Sequence, residues 1–188
     1  MSYLELIIGP MYAGKSTELI RIINRYKCLN KNITVVNHAY NNRYGSINLT
    51  THNREKFDKC VILENLKELE SYKDLESQKE AFENCDVIII EELQFFNDAY
   101  DVVIDWCDNH GKIVIGAGLD GDFQRKPFGH VLQLIPHAEK ITKLSALCKK
   151  CGDGTSAHFT KRIVEENEKT LVGSDGLYEA VCRKHYLE

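Results

Sequence analysis

Apolar and polar positions along this chain predict strands and helices in turn. Residues 4–8 form a short apolar run that fits a buried strand, and Gly9 bounds it. Leu19, Ile20, Ile22, Ile23 and Tyr26 then recur at helical spacing, while Arg21, Arg25 and Lys27 take the other face. Residues 33–37, ITVVN, read as a second buried strand. Residues 38–53 are polar and Asn-rich, which predicts a loop long enough to act as a lid. A short strand is expected over 59–63. Over 65–84, Leu66, Leu69, Tyr72 and Leu75 stand among many charges and suggest an exposed helix. Residues 86–90, DVIII, are continuously apolar after their first position, which implies burial on both faces, as in a parallel sheet. A helix over 95–109, a strand over 112–117, a turn-rich segment over 118–129, a short helix over 131–134 and a last strand over 141–147 complete the series.

That alternation describes a doubly wound α/β sheet spanning residues 1–147. From Cys148 onward the apolar runs thin out and glycines multiply, so 148–188 reads as a small second lobe. A length of 188 residues is enough to bury a real core. The net charge of −4 argues against a dedicated nucleic-acid binder, which needs a basic face. No stretch reaches the length of a membrane span, and the N-terminus lacks a signal-peptide layout. Seven scattered cysteines, an odd number, make no disulfide framework, so a reduced, cytoplasmic setting is expected.

Directly after the first strand, Gly9, Gly14, Lys15 and Ser16 spell G-x-x-x-x-G-K-S. The intervening Pro10, Met11, Tyr12 and Ala13 would curl so that backbone N–H groups and the helix N-terminus face an anion. In such a loop Lys15 reaches the β- and γ-phosphates of a nucleotide and the Ser16 hydroxyl ligates Mg²⁺. Strand before and helix after are the context that the motif requires, and both are predicted here.

Glu91, Glu92 and Gln94 follow the DVIII strand. Ligands of open α/β sheets gather at the carboxyl ends of strands, where the phosphate loop also lies. Two adjacent acids there allow a division of labour: one faces Mg²⁺, the other takes a proton from an acceptor hydroxyl. Farther on, Cys148-Lys149-Lys150-Cys151 and Cys182-Arg183-Lys184-His185 are two knuckles of C-x-x-C/H type. Together they supply three thiolates and one imidazole, a closed tetrahedral set for structural Zn²⁺. They flank a core-poor segment that needs such a staple. Cys28, Cys60, Cys85 and Cys107 sit in or beside apolar patterns and are expected to be small buried hydrophobes. His130 and His137 have no partner visible in the sequence and are read as structural.

Taken together, GPMYAGKSTEL at the start, EELQFF at 91–96, GLDGDFQRKPFG at 118–129, the first knuckle, FTKR at 159–162 and LVGSDGLYEAVCRKHY at 171–186 resemble the type II, zinc-containing thymidine kinases. The resemblance covers nearly the whole chain. It implies a RecA-like P-loop core with a zinc lobe that anchors a lasso loop. It gives Glu92 the part of the base that deprotonates the 5′-hydroxyl of thymidine. Glu91 and Gln94 match neighbouring nucleotide- and metal-site positions. Leu119, Phe123 and Phe95 match residues of the thymine pocket. Tyr178 and the backbone of Lys169, Thr170, Leu171, Val172 and Gly173 match the lasso that covers thymidine. The family also implies ATP with Mg²⁺, a homotetramer, feedback inhibition by dTTP, and a site for thymidine, with deoxyuridine as the candidate second substrate.

Three positions depart from the family pattern. Glu91 stands where Asp is usual and reaches one methylene farther. Asn53 stands where animal members carry an acid and is assigned no role. His185 replaces a fourth cysteine, an exchange that zinc accepts. The expected reaction is transfer of the γ-phosphate of ATP to thymidine, with an arginine among Arg54, Arg125 and Arg162 helping Lys15 to offset charge. Two rivals are weighed: a nucleic-acid-stimulated ATPase with a zinc ribbon, disfavoured by the acidic balance, and a regulatory GTPase, for which no N-K-x-D motif exists.

Overall fold

The computed structural model describes residues 2–40, 49–50, 56–57, 60–72, 81–164 and 176–188. In chain order the strands and helices are β1 (Tyr3–Ile8), α1 (Lys15–Lys27), β2 (Ile33–His38), β3 (Leu49–Thr50), β4 (Lys56–Phe57), β5 (Cys60–Leu63), α2 (Ala81–Asn84), β6 (Val87–Ile90), α3 (Ala99–Asp108), β7 (Ile113–Gly118) and β8 (Lys140–Lys143). The smaller lobe adds β9 (Ala146–Leu147), β10 (Ser156–Ala157), β11 (Phe159–Arg162), β12 (Tyr178–Val181) and α4 (Arg183–Leu187).

Six strands form the central sheet in the order β5-β2-β6-β7-β1-β8, and every neighbouring pair is parallel. This is the α/β sheet that the alternation of elements predicts. Its central strands β6 and β7 carry no polar side chain because both faces are covered. Leu4, Leu6, Ile8, Ile88 and Ile90 pack on one side with Leu66, Phe82, Val103 and Trp106. Ile7, Val87 and Ile89 pack on the other, against Leu19, Ile22 and Ile23 of α1. Successive residues of one strand thus serve opposite layers. Trp106 and Phe82 are among the largest fully buried side chains and meet at 5.3 Å between ring centroids. The Trp106 indole N–H, the one polar atom of that ring, donates to Glu70.

Several expected elements come out differently. The exposed helix expected over 65–84 is a 3₁₀ turn, Leu66–Ser71, that ends at Tyr72 in extended backbone, followed after the undescribed 73–80 by the single-turn α2. Leu66 and Leu69 are buried, not on an exposed face. Tertiary capping decides this: the Asp98 carboxylate accepts from the N–H groups of Leu66 and Lys67, binding that short turn to the start of α3. The helix expected from residue 95 begins at Ala99, because Phe96 is extended and Asp98 occupies the N-cap. The helix expected over 131–134 is a set of turns leading to a 3₁₀ turn at Ile135–His137, where Pro136 cannot continue an α-helical ladder. The last predicted strand divides in two: β8 closes the large sheet, while β9 pairs antiparallel with β10. Cys85 and Cys107 are buried as expected, whereas Cys28, past the last turn of α1, is exposed and Cys60, on the edge strand β5, is half-buried.

Most of the expected lid, residues 41–48 and 51–53, and the lasso residues Lys169, Thr170, Leu171, Val172 and Gly173 lie outside the described residues, as does Arg54.

Candidate active site

Three strand ends converge on one region. β1 delivers the glycine-rich loop, β6 delivers Glu91 and Glu92, and β7, which lies between them in the sheet, delivers Leu119. β7 ends in Gly116-Ala117-Gly118, where a Cβ at Gly116 would lie 2.7 Å from Leu93 and one at Gly118 2.9 Å from the Gln94 amide oxygen. From either side of β7, the Ser16 hydroxyl and the Glu91 carboxylate meet, the hydroxyl donating. Lys15 folds over the loop and donates to the Pro10 carbonyl at 2.8 Å.

Burial sets the electrostatics. Glu91 is pushed up to about 8, because desolvation and the neighbouring Glu92 charge outweigh the Ser16 hydrogen bond and the attraction of Lys15. The Lys15 ammonium is lowered by its own desolvation, against the opposing pull of Glu92, Glu91 and Asp120. A buried acid whose ionisation is disfavoured, beside a hydroxyl and a desolvated lysine, is a site whose charge is incomplete. A polyanion with a divalent cation would complete it.

Glu92 has left-handed backbone, φ 55° and ψ 40°, a conformation that costs a non-glycine residue on the order of 1 kcal/mol or more. Its carbonyl accepts from Phe95 N at 3.0 Å, and its carboxylate accepts from the Gln94 amide. Phe95 belongs to an aromatic group: its ring lies 5.7 Å from His38, 5.7 Å from Tyr40 and 5.5 Å, edge-on, from Phe128. Phe123 is held elsewhere, with the Arg162 guanidinium 3.8 Å above its ring. Arg162 pairs across the β11–β12 ladder with Tyr178 and donates to its hydroxyl at 2.9 Å. Arg125 stacks over Tyr186 at 4.5 Å and, with Arg183, Pro10 and Thr160, lines a cavity of about 450 Å³.

The second lobe reaches the phosphate loop directly. Met11 N donates to Thr160 Oγ1 at 3.0 Å, and the Tyr12 hydroxyl donates to the Tyr178 carbonyl at 3.4 Å. Tyr12 and Ala13 pack into the small apolar cluster of Ala146, Cys148, Ala157, Ala180 and Val181. FTKR is legible in the sequence as a motif, but the work of Thr160 and Arg162 is not. The usable signal is the period of two in a strand, which puts both on one face of β11.

Cys148, Cys151, Cys182 and His185 form one cluster, with ligand atoms all within 4.8 Å of one another. A tetrahedral zinc with S and N ligands separates two sulfurs by about 3.8 Å and a sulfur from a nitrogen by about 3.5 Å. The cluster has 3.8 Å between Cys151 and Cys182 sulfurs, and 3.5, 3.3 and 3.4 Å from His185 Nδ1 to the sulfurs of Cys148, Cys151 and Cys182. Desolvation opposes ionisation of Cys148, yet N–H donation from Cys182 and Cys151 and the His185 contact bring its thiol down to about 6. The residues fit the metal in kind, number and spacing.

A family model described as thymidine kinase matches residues 2–186. The thymidine kinase of Vaccinia virus (strain Western Reserve) is 41% identical over 189 residues, covering 99% of this chain and 97% of that protein. The thymidine kinase of Monkeypox virus is 40% identical over 189 residues, with the same coverage. That of Oryza sativa subsp. japonica is 41% identical over 186 residues, covering 98% of this chain and 66% of the plant protein.

Proposed function

This chain belongs to the thymidine kinase family, and we propose that it transfers the γ-phosphoryl group of ATP to the 5′-hydroxyl of thymidine, giving dTMP and ADP. The observation that carries the reading is the meeting of Ser16 and Glu91 beside Glu92, across β7, in a chain that matches the family over nearly its whole length.

The phosphate loop, Gly9 to Ser16, holds the ATP phosphates through its backbone N–H groups, and Lys15 exchanges the Pro10 carbonyl for a phosphate oxygen. Ser16 and Glu91 are the groups of this chain that would hold Mg²⁺, which would supply positive charge to offset that of the phosphates. Glu92 accepts the 5′-hydroxyl proton as the hydroxyl oxygen attacks the γ-phosphorus and the bond to the bridging oxygen of ADP breaks. Phe95 and its aromatic neighbours, with Leu119, form one wall of the thymine pocket, Phe123 under Arg162 lies on the side of the second lobe, and the lasso of residues 169–173 with Tyr178 closes over the base. Closure excludes water and so limits idle hydrolysis of ATP. Cys148, Cys151, Cys182 and His185 would hold Zn²⁺ in a structural role, tying together the lobe residues on which Tyr12 and Ala13 of the phosphate loop pack.

Deoxyuridine differs from thymidine by one methyl group, which a hydrophobic pocket distinguishes only modestly, so it is a weaker substrate. dTTP carries both a thymidine moiety and phosphates and can occupy both halves of the site, which accounts for feedback inhibition. The protein acts as a homotetramer in the cytoplasm, where cysteines outside disulfides are the rule; among the described residues none of the cysteines forms a disulfide, and no helix is long and apolar enough to cross a membrane. The nucleic-acid-stimulated ATPase is not favoured by any relative named above. The test is chromatographic detection of dTMP after incubation with ATP, Mg²⁺ and thymidine. Formation of dTMP in step with ADP supports the reading, and ADP formed only on addition of single-stranded DNA overturns it.

A further inference from the structure

Gln94 resembles a nucleotide- or metal-site residue by its place in EELQFF, yet its side chain is spent inside the protein. It is 3% exposed. Its amide nitrogen donates to the Glu92 carboxylate, and its amide oxygen accepts from Leu119 N at 3.1 Å. The two partners fix the orientation of the amide. A carboxylate demands the N–H end and a backbone N–H demands the carbonyl end. Each end thus has one protein partner, and with the residue 3% exposed the amide's remaining N–H and lone pair have little access from outside.

The surroundings hold that side chain in place. At Gly118 a Cβ would lie 2.9 Å from the Gln94 amide oxygen and 3.1 Å from Val131. At Gly129, whose φ is +56°, a Cβ would lie 2.2 Å from the Gln94 carbonyl oxygen. Two chain segments, the end of β7 and the close of the turn-rich 118–129 loop, have therefore given up side chains to let Gln94 sit between them. Burying an amide is favourable only when its donors and acceptors are met, and here each end meets a residue with a part in the reaction.

We propose that Gln94 is a positioning residue that ties the acceptor side of the site together: one amide orients the Glu92 carboxylate and anchors the loop that begins at Leu119. The inference rests on the kinase reading above. Its consequence is that Gln94 has two separable functions. The N–H end serves the chemical step, because it holds the left-handed Glu92 with its free oxygen toward the acceptor hydroxyl. The carbonyl end serves thymidine binding, because it holds the start of the pocket loop. Gln94 contributes nothing to ATP affinity.

Two substitutions separate these functions. Gln94→Glu keeps an oxygen for Leu119 N but replaces the N–H donor by a second carboxyl group, which either repels Glu92 or shares a proton with it. Gln94→Met keeps the volume and removes both ends. Steady-state kinetics with thymidine and ATP are measured beside calorimetric binding of ATP and a thermal unfolding scan. For Gln94→Glu, kcat is expected to fall about tenfold to a hundredfold, with KM for thymidine within about threefold of the wild type. For Gln94→Met, kcat falls similarly and KM for thymidine rises about tenfold as well. Both variants bind ATP as the wild type does.

An unchanged kcat in Gln94→Glu overturns the proposal. So does a loss confined to ATP binding, which would return Gln94 to the nucleotide site. So does the failure of both variants to give folded, ATP-binding protein, which would mark the residue as structural only. The wild type is assayed first: no thymidine-dependent turnover there would sink the kinase reading itself, a result distinct from any behaviour of the variants.

Discussion

Glu91 is a carboxyl group that the fold has taken out of water, and its cost is readable as a pH dependence. Its folded-state value of about 8 lies above the 4.5 of an exposed glutamate. The native protein therefore holds a proton that the unfolded chain releases, and stability from this group is full below about pH 4.5 and lost as pH rises to about 8. In the nucleotide- and metal-free protein, Glu91→Gln should thus raise the thermal midpoint more at pH 8 than at pH 5. A constant difference across that range would show that Glu91 is not desolvated as described. At Gly129 the argument is steric. Left-handed backbone and a Cβ 2.2 Å from a backbone oxygen lead us to expect a loss of about 2–4 kcal/mol for Gly129→Ala, read by urea unfolding. The acids at 91 and 92 are legible in the sequence as chemistry, because their type and place after a buried strand suffice. The Ser16–Glu91 contact and the internal engagement of Gln94 are not legible, because they depend on what lies across β7.

Among the elements, β1, β2, β6 and β7 are visible from hydrophobic runs alone, since parallel strands covered on both faces leave no alternation to misread. The segment over 65–84 misleads for the opposite reason. Its spaced leucines fit a helix, but Asp98, distant in sequence, caps Leu66 and Lys67 and stabilises a short 3₁₀ turn instead. Local propensity is a weak prior against such a partner. β11 shows what an element can contribute without being near the motif it serves. Thr160 gives the loop residue Met11 its N–H acceptor at 3.0 Å. A net hydrogen bond of about 1 kcal/mol corresponds to roughly a fivefold change in affinity. Thr160→Val, nearly the same shape, should accordingly raise KM for ATP by about fivefold and leave kcat within about twofold. Equal losses in both would mean that Thr160 acts on the chemical step.

At the scale of the molecule, the two C-x-x-C/H knuckles were legible as a metal set from spacing alone, and their four ligand atoms do come together. What spacing could not convey is that the same lobe packs on the phosphate loop through Tyr12 and Ala13. Zinc removal should then reach past the lasso. A chelator, or Cys182→Ser, is expected to lower the thermal midpoint by at least about 5 °C and to weaken ATP binding as well as thymidine binding. Unaltered ATP affinity in the zinc-free, still folded protein would contradict that coupling. The central claim is narrower, that a thymidine-dependent phosphoryl transfer runs through Glu92. It is tested most directly by ADP release with ATP and Mg²⁺, with and without thymidine, in the wild type and in Glu92→Gln. The expected result is a rate in the wild type that requires thymidine and falls by about a hundredfold or more in the variant while ATP binding is retained. A variant that keeps its thymidine-dependent rate, or a wild type indifferent to thymidine, would contradict it.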